Sequence, residues 1–301
     1  LGLDFKHSGR FALSTALVAS AVLLASCGRS LPEILALWPD GAPGAVGSRD
    51  VDTPTLELHH APADRATGAA IVVVPGGGYT YLDEYQLEAI VRWLTDDLGV
   101  SAFLLRYRVA PEYGHPAPFL DAQRAVRTVR VNAVAWGIDA ERVGMLGFSA
   151  GGHLVSTVGT HHDDGDPTSP DPVERVASRP NFMILVYPVI SMVAEFTHED
   201  SRLALLGATP DPGLARYLSS ELHVTPETPP TLLLHNDGDP LVPAENSVAF
   251  YLALQEAGVS AELHVFQNGR HGPPLSPKGP WAAWPELAQT WLEELGVISP
   301  N

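Results

Sequence analysis

Short apolar runs alternate with longer amphipathic stretches over most of the chain. The runs are Ala70-Ile71-Val72-Val73-Val74, Ala102-Phe103-Leu104-Leu105, Val143-Gly144-Met145-Leu146-Gly147, Phe182-Met183-Ile184-Leu185-Val186-Tyr187, Thr231-Leu232-Leu233-Leu234-His235 and Leu263-His264-Val265-Phe266. Each is brief, continuous and bounded by turn residues, as a strand buried on both faces reads. Thr55-Leu56-Glu57-Leu58-His59 instead alternates apolar and polar residues, the pattern of an edge strand with one covered face. Between the runs, residues 118–136 place Ala122, Val126, Val129, Ala133 and Trp136 at spacings of 4, 3, 4 and 3. That spacing predicts a helix with one apolar stripe, stopped by Gly137. Residues 245–257 and 285–295 repeat the pattern, with Gly258 and Gly296 as stops. Strand–helix alternation at this period predicts an α/β fold: a mostly parallel central sheet flanked by helices on both faces. No repeat, low-complexity tract or internal linker divides it, so residues 51–301 are expected to form one domain.

The beginning of the chain follows another rule. Lys6, His7 and Arg10 make a short basic start, and Phe11 to Ala25 is almost wholly apolar or small. That stretch is short for a membrane span but suits the core of an export signal. Leu24-Ala25-Ser26-Cys27 follows. It resembles the bacterial lipobox, in which the signal is removed before a cysteine that is then lipidated. Residues 1–26 are thus expected to be a signal peptide and residues 27–50 a tether. Cys27 is the expected membrane attachment point, since several acyl chains suffice for stable anchoring. Gly28 stands where an inner-membrane retention Asp would be. The expectation is an exported, envelope-bound protein, periplasmic or associated with the outer membrane.

Composition removes several alternatives. The chain has 301 residues, 45% hydrophobic and 18% charged, enough to bury a large core without staples. Cys27 is its one cysteine, which excludes an intramolecular disulfide and a multi-cysteine metal site. The formal net charge of −17 argues against nucleic acid as a partner.

The strongest chemical signal is Gly147-Phe148-Ser149-Ala150-Gly151-Gly152-His153, after one predicted strand and before a predicted helix at 154–159. This is the context of the G-x-S-x-G nucleophile elbow, which lifts a serine hydroxyl clear of the sheet. It also puts Ser149 at a helix N-terminus, where N–H groups favour negative charge. Serine needs a base and an orienting acid, in chain order Ser, Asp/Glu, His. After run 231–235 comes Asn236-Asp237-Gly238-Asp239-Pro240-Leu241-Val242-Pro243, where the D-x-x-V-P spacing selects Asp239 and leaves Asp237 as the fallback. After the last strand comes Asn268-Gly269-Arg270-His271-Gly272. His271, on a loop beyond both elbow and acid, ranks above His235 and His264 as the base. Pro75-Gly76-Gly77-Gly78-Tyr79 follows run 70–74. Glycines there let backbone N–H groups approach a developing oxyanion. The N–H groups of Gly77, Gly78 and Ala150 are the expected donors.

Taken together, these stretches resemble the bacterial acetyl xylan esterase-like group of the α/β-hydrolase superfamily. The matching segments include PGGGY at 75–79, LLRYRV at 104–109, HPAPFLDAQRAVRTVR at 115–130, GFSAGGHL at 147–154, RPNFMILVYPVISM at 179–192, HNDGDPLVPAENS at 235–247 and RHG at 270–272. The resemblance implies Ser149 as nucleophile, Asp239 as acid, His271 as base, and no cofactor or metal. Gly238 departs from the pair of adjacent aspartates common in that group. The implied reaction is two-step hydrolysis of acetyl esters on a plant polysaccharide or oligosaccharide. A general small-ester hydrolase, an arylformamidase, a peptidase and a non-catalytic binding protein are the competing readings. A peptidase of this type would be expected to carry a large gating domain, and a binding protein would not need a complete triad.

Four aromatic residues are candidate substrate contacts. Tyr79 and Tyr81 flank the glycine loop and could shape the acyl pocket; Trp281 and Trp284 could stack on sugar rings or pack under the last helix. His161-His162-Asp163-Asp164 has metal-binding residue types but no helical i, i+4 pair. It is expected to be a solvated loop bordering the cleft.

Overall fold

Eight strands in the described part of the chain join one sheet, and the alternation of their side chains divides the core into two layers. The computed structural model describes residues 1, 32–85, 87–267, 269–272, 275–276 and 278–300. The expected export signal, after Leu1, and Cys27 lie outside the described residues. The strands are β1 (Glu33–Ala36), β2 (Thr55–His59), β3 (Ala70–Val74), β4 (Ser101–Arg106), β5 (Val143–Phe148), β6 (Met183–Val186), β7 (Thr231–Asn236) and β8 (Ala261–Phe266). Their order is β1-β2-β4-β3-β5-β6-β7-β8. The β1–β2 and β2–β4 pairs are antiparallel, and every later pair is parallel. The mostly parallel sheet expected from the apolar runs is therefore present.

Val72, Val74, Met145, Leu185 and Leu233 point into one core layer, shared with α2 (Ala117–Asn132), α3 (Ala150–Thr160) and α6 (Glu245–Glu256). Ile71, Val73, Leu146, Ile184 and Leu232 point into the other. That layer is covered by α1 (Leu87–Arg92), the π-helical turn Trp93–Asp97 that continues it, and α7 (Trp284–Glu294). Each fully buried Val, Leu or Ile contributes about 1.5–3 kcal/mol. Burial on both faces explains why the central strands read as unbroken apolar runs.

Several expectations change. The tether assigned to residues 27–50 does not hold from residue 32 onward. Glu33–Ala36 pairs with β2, Leu37 is buried in the first core layer, and the Pro43 carbonyl accepts from Arg108 Nη1 at 2.7 Å. The described residues from Pro32 onward form one compact unit. Strand β8 is half-exposed along its length, because it closes the edge of the sheet beyond β7. The helix expected over 118–136 ends at Asn132, whose side chain turns back to the Thr128 carbonyl at 2.8 Å. The apolar stripe continues through turns to Trp136, which stacks on Phe103 with ring centres 5.2 Å apart. Helix α4 (Glu199–Leu206) and α5 (Pro212–Tyr217) lie between β6 and β7, where the sequence shows no helical stripe.

Candidate active site

The parallel strands end on one side of the sheet, and the connections leaving β3, β5, β6, β7 and β8 meet there. Strand β5 ends at Phe148 and α3 begins at Ala150. Ser149 between them has φ 54° and ψ −121°, a conformation that costs about 1–3 kcal/mol. Hydrogen bonds on both sides hold it: Ser149 N–H to the Val186 carbonyl at 3.0 Å, and Val189 N–H to the Ser149 carbonyl at 3.1 Å. The turn is possible only because neighbouring backbone can come close. A Cβ on Gly151 would lie 2.4 Å from the carbonyl oxygens of Val74 and Pro75.

The Ser149 hydroxyl lies 2.8 Å from Nε2 of His271, and Nδ1 of His271 lies 2.6 Å from Oδ2 of Asp239. The other carboxylate oxygen of Asp239 accepts from the N–H groups of Leu241 at 2.9 Å and Val242 at 3.0 Å. Burial pushes the Asp239 carboxyl up, but the bond and charge of His271 and these two amides outweigh it, holding the group below the usual carboxylate range. Asp239 is therefore ionised, with its lone pairs spoken for. The fallback acid Asp237 is exposed in the same turn.

The rejected histidines have other partners. His235 is fully buried, with Nδ1 2.7 Å from Ser247 Oγ and Nε2 2.9 Å from the Val242 carbonyl. The carbonyl can only accept, so Nε2–H donates to it. His235 thereby braces the turn that carries Asp239. His264 pairs with Glu262 on β8.

The glycine loop forms the facing wall. Gly76, Gly77 and Gly78 line the same cavity as Ser149 and His271. Gly77 has φ 113°, and a Cβ there would lie 2.0 Å from the Tyr81 carbonyl. The Gly77 carbonyl accepts from Thr80 N–H at 3.0 Å and Tyr81 N–H at 3.3 Å, which fixes the turn. Ala150 opens α3, so its N–H is among those with no carbonyl partner inside the helix. The cavity measures about 530 Å³, within the range of small-molecule sites. Tyr81, Asp83, His198, Asp200 and Arg270 set polar groups among the apolar walls of Leu87, Phe148, Tyr187 and Leu241. His198 Nδ1 is 2.8 Å from Ser201 Oγ, and burial lowers the imidazole pKa.

Of the four aromatic candidates, Tyr81 alone lines the cavity, at 59% exposure. Tyr79 is buried, its hydroxyl 2.7 Å from His153 Nδ1. Its φ of 63° turns the side chain under the loop. Trp281 and Trp284 are buried in the second core layer, so they offer no face to a sugar. Trp281 packs on Tyr187 with ring centres 5.7 Å apart, and Tyr187 meets His271 edge-on at 4.7 Å. Tyr187 lines the cavity and was not singled out from the sequence. Its signal was its place at the end of run 182–187, directly after β6. Residues 161–164 do not line this cavity. His161 packs on Tyr217 and His223, and Asp163 pairs with Arg127.

Comparison with known proteins adds a lineage to this geometry. The BD-FAE family model matches residues 56–254. The chain belongs to the BD-FAE family. The chain is similar to the "Endo-1,4-beta-xylanase B" of Butyrivibrio fibrisolvens, 36% identical over 205 residues, covering 67% of this chain and 32% of that protein. The "Acetylxylan esterase" of Xylanibacter ruminicola is 37% identical over 217 residues, covering 69% of this chain and 42% of that one. The chain thus spans well under half the length of these two relatives. The crystal structure of the acetyl ester-xyloside bifunctional hydrolase from Caldicellulosiruptor lactoaceticus superposes with a TM-score of 0.81 at 44% identity, covering 89% of this chain and 97% of that one. This BD-FAE chain has the α/β-hydrolase fold.

Proposed function

We propose that this BD-FAE protein is a serine esterase that removes acetyl groups from acetylated xylan or xylo-oligosaccharides. The observation that carries the reading is the unbroken chain from Ser149 through His271 to Asp239 beside a cavity whose walls include Asp83, His198, Asp200 and Arg270. The names of the similar xylanase, acetylxylan esterase and xyloside hydrolase support the acetyl and xylan parts of it.

His271 Nε2 takes the hydroxyl proton as Ser149 Oγ attacks the acetyl carbonyl. Asp239 holds Nδ1–H and stabilises the imidazolium that forms. The N–H groups of Gly77 or Gly78 and of Ala150 bind the tetrahedral oxyanion; one such donor is worth about 3–4 kcal/mol in the transition state. His271 then protonates the departing sugar oxygen. Water, deprotonated by the same imidazole, releases acetate from the acyl-enzyme. Asp83, Asp200, His198 and Arg270 offer hydrogen-bonding partners to the sugar hydroxyls around the ester. The test is acetate release from acetylated xylo-oligosaccharides, measured beside a series of p-nitrophenyl esters of increasing acyl length. Acetate release from the oligosaccharides supports the reading. Hydrolysis confined to aryl or long-chain esters overturns it in favour of a general esterase.

The lipobox-like Leu24-Ala25-Ser26-Cys27 supports a second element of the reading, that Cys27 is lipidated and holds the esterase at the cell envelope. A Cys27→Ser variant that fractionates with membranes as the parent does would overturn it.

A further inference from the structure

Two segments distant in sequence must deliver N–H groups to one point: the loop Gly77–Gly78 after β3, and Ala150 at the head of α3. Behind the loop the Tyr79 hydroxyl meets His153 Nδ1 at 2.7 Å, and His153 Nε2 meets the Leu218 carbonyl at 2.7 Å. A carbonyl only accepts, so Nε2 carries the proton and Nδ1 accepts from the Tyr79 O–H. Both side chains are buried. His153 sits in the first turn of α3, its N–H bonded to the Ser149 carbonyl at 3.2 Å. Ser156, one turn further along α3, is 2.8 Å from Ser220 Oγ, so the buried side of α3 is tied twice to residues 218–220. On the loop side, Tyr79 stands at φ 63°, a conformation that persists only where surroundings impose it. Its carbonyl accepts from Ala110 N–H at 2.8 Å, and the Tyr107 hydroxyl donates to the Pro75 carbonyl at 2.9 Å.

We propose that Tyr79 and His153 are positioning residues whose hydrogen bond sets where the N–H groups of Gly77 and Gly78 lie relative to that of Ala150. Gly151 packed on the Val74 and Pro75 carbonyls fixes the near end of the two segments. The Tyr79–His153 bond fixes the far end, and with it the rotation of the loop. Burial lowers the His153 pKa to about 4, so the neutral tautomer that accepts from Tyr79 persists at neutral pH. The proposal rests on the oxyanion role given above to the glycine loop and Ala150.

Tyr79→Phe deletes one buried hydroxyl and keeps the ring. His153→Asn keeps an acceptor near the Nδ1 position, whereas His153→Leu keeps only bulk. Steady-state kinetics on p-nitrophenyl acetate and inhibition by phenylboronic acid, which forms a tetrahedral adduct on a serine oxygen, are measured well below each variant's thermal midpoint. Tyr79→Phe and His153→Leu are expected to lower kcat by about 10–100-fold with KM nearly unchanged, since small misplacements of catalytic groups act on that scale. Boronate inhibition weakens in proportion, and His153→Asn recovers most of the kcat lost in His153→Leu. A lower thermal midpoint with unchanged kcat and unchanged boronate inhibition in Tyr79→Phe would mean a packing role only and overturns the proposal. If Tyr79→Phe does not fold, equal kcat in the two His153 variants overturns it instead. Ser149→Ala separates the two levels: full activity there removes the serine-esterase reading itself. Its loss, beside an unchanged Tyr79→Phe, removes the positioning role alone.

Discussion

His271 Nδ1 lies 2.6 Å from Asp239 Oδ2, while Asp237, two residues earlier in the same turn, is exposed. The difference comes from the strand. Asp237 directly follows the last residue of β7, and its N–H is bonded to Phe266 O at 2.9 Å on the edge strand β8. Asp239 comes after the chain has turned inward over His235. Asp239→Asn is expected to lower kcat by about 10⁴-fold, because an amide does not hold the imidazole in the same tautomer. Asp237→Asn is expected to retain parent kinetics. The measurement is kcat on p-nitrophenyl acetate for the two variants side by side; equal losses contradict the assignment.

The close approach of α3 to the glycine loop is a second point of leverage. Gly151→Ala places a methyl group 2.4 Å from two carbonyl oxygens. Overpacking of this kind costs about 1–3 kcal/mol, and here it also separates Ala150 from Gly77 and Gly78. Thermal midpoint and kcat are both expected to fall. Gly258→Ala is the control, since its Cβ position meets nothing within 4 Å although φ is 73°. It is expected to lose about 1–2 kcal/mol of stability at constant kcat.

Legibility in the sequence followed burial. Strands β3 to β7 were readable because both faces are covered and their runs are unbroken. Strand β1 was not, since Glu33 and Ile34 are exposed and Leu35 and Ala36 only half-buried. Helices α4 and α5 are short, with Ser201, Leu205 and Ala215 as their buried residues, too few to make a stripe. The order of Ser149, Asp239 and His271 was readable because each follows a strand. The roles of Tyr79, Trp281 and Trp284 were not. A residue type beside a loop does not say which way its side chain turns, and at Tyr79 a positive φ decides it.

Acid is expected to weaken the fold through the buried His153 and the half-buried His161. Burial lowers His153 and His161 to about 4, against about 6.5 in an unfolded chain. Between these values the unfolded chain binds protons that the native state does not, so stability rises with pH there. The contribution is complete above pH 6.5 and is lost as pH falls towards 4, by about 3 kcal/mol for His153 alone. Urea unfolding at a series of pH values is expected to show this decline, with a shallower slope in His153→Asn. An unchanged slope contradicts the burial argument.

Trp281 backs His271 at one remove, through Tyr187. Trp281→Ala is expected to cost about 3–5 kcal/mol, as large aromatic deletions in a core do. It is also expected to lower kcat more than it changes KM, because Tyr187 loses the ring that backs it against His271. Kinetics that are unchanged despite the stability loss contradict the link.

Removing the Ser149 hydroxyl tests the serine-esterase reading most directly. Ser149→Ala leaves His271, Asp239 and the glycine loop in place and deletes the oxygen 2.8 Å from His271 Nε2. Hydrolysis of p-nitrophenyl acetate and acetate release from acetylated xylo-oligosaccharides are expected to fall together, by about 10⁴-fold or more in kcat. A Ser149→Ala protein that hydrolyses either substrate as fast as the parent would contradict the account.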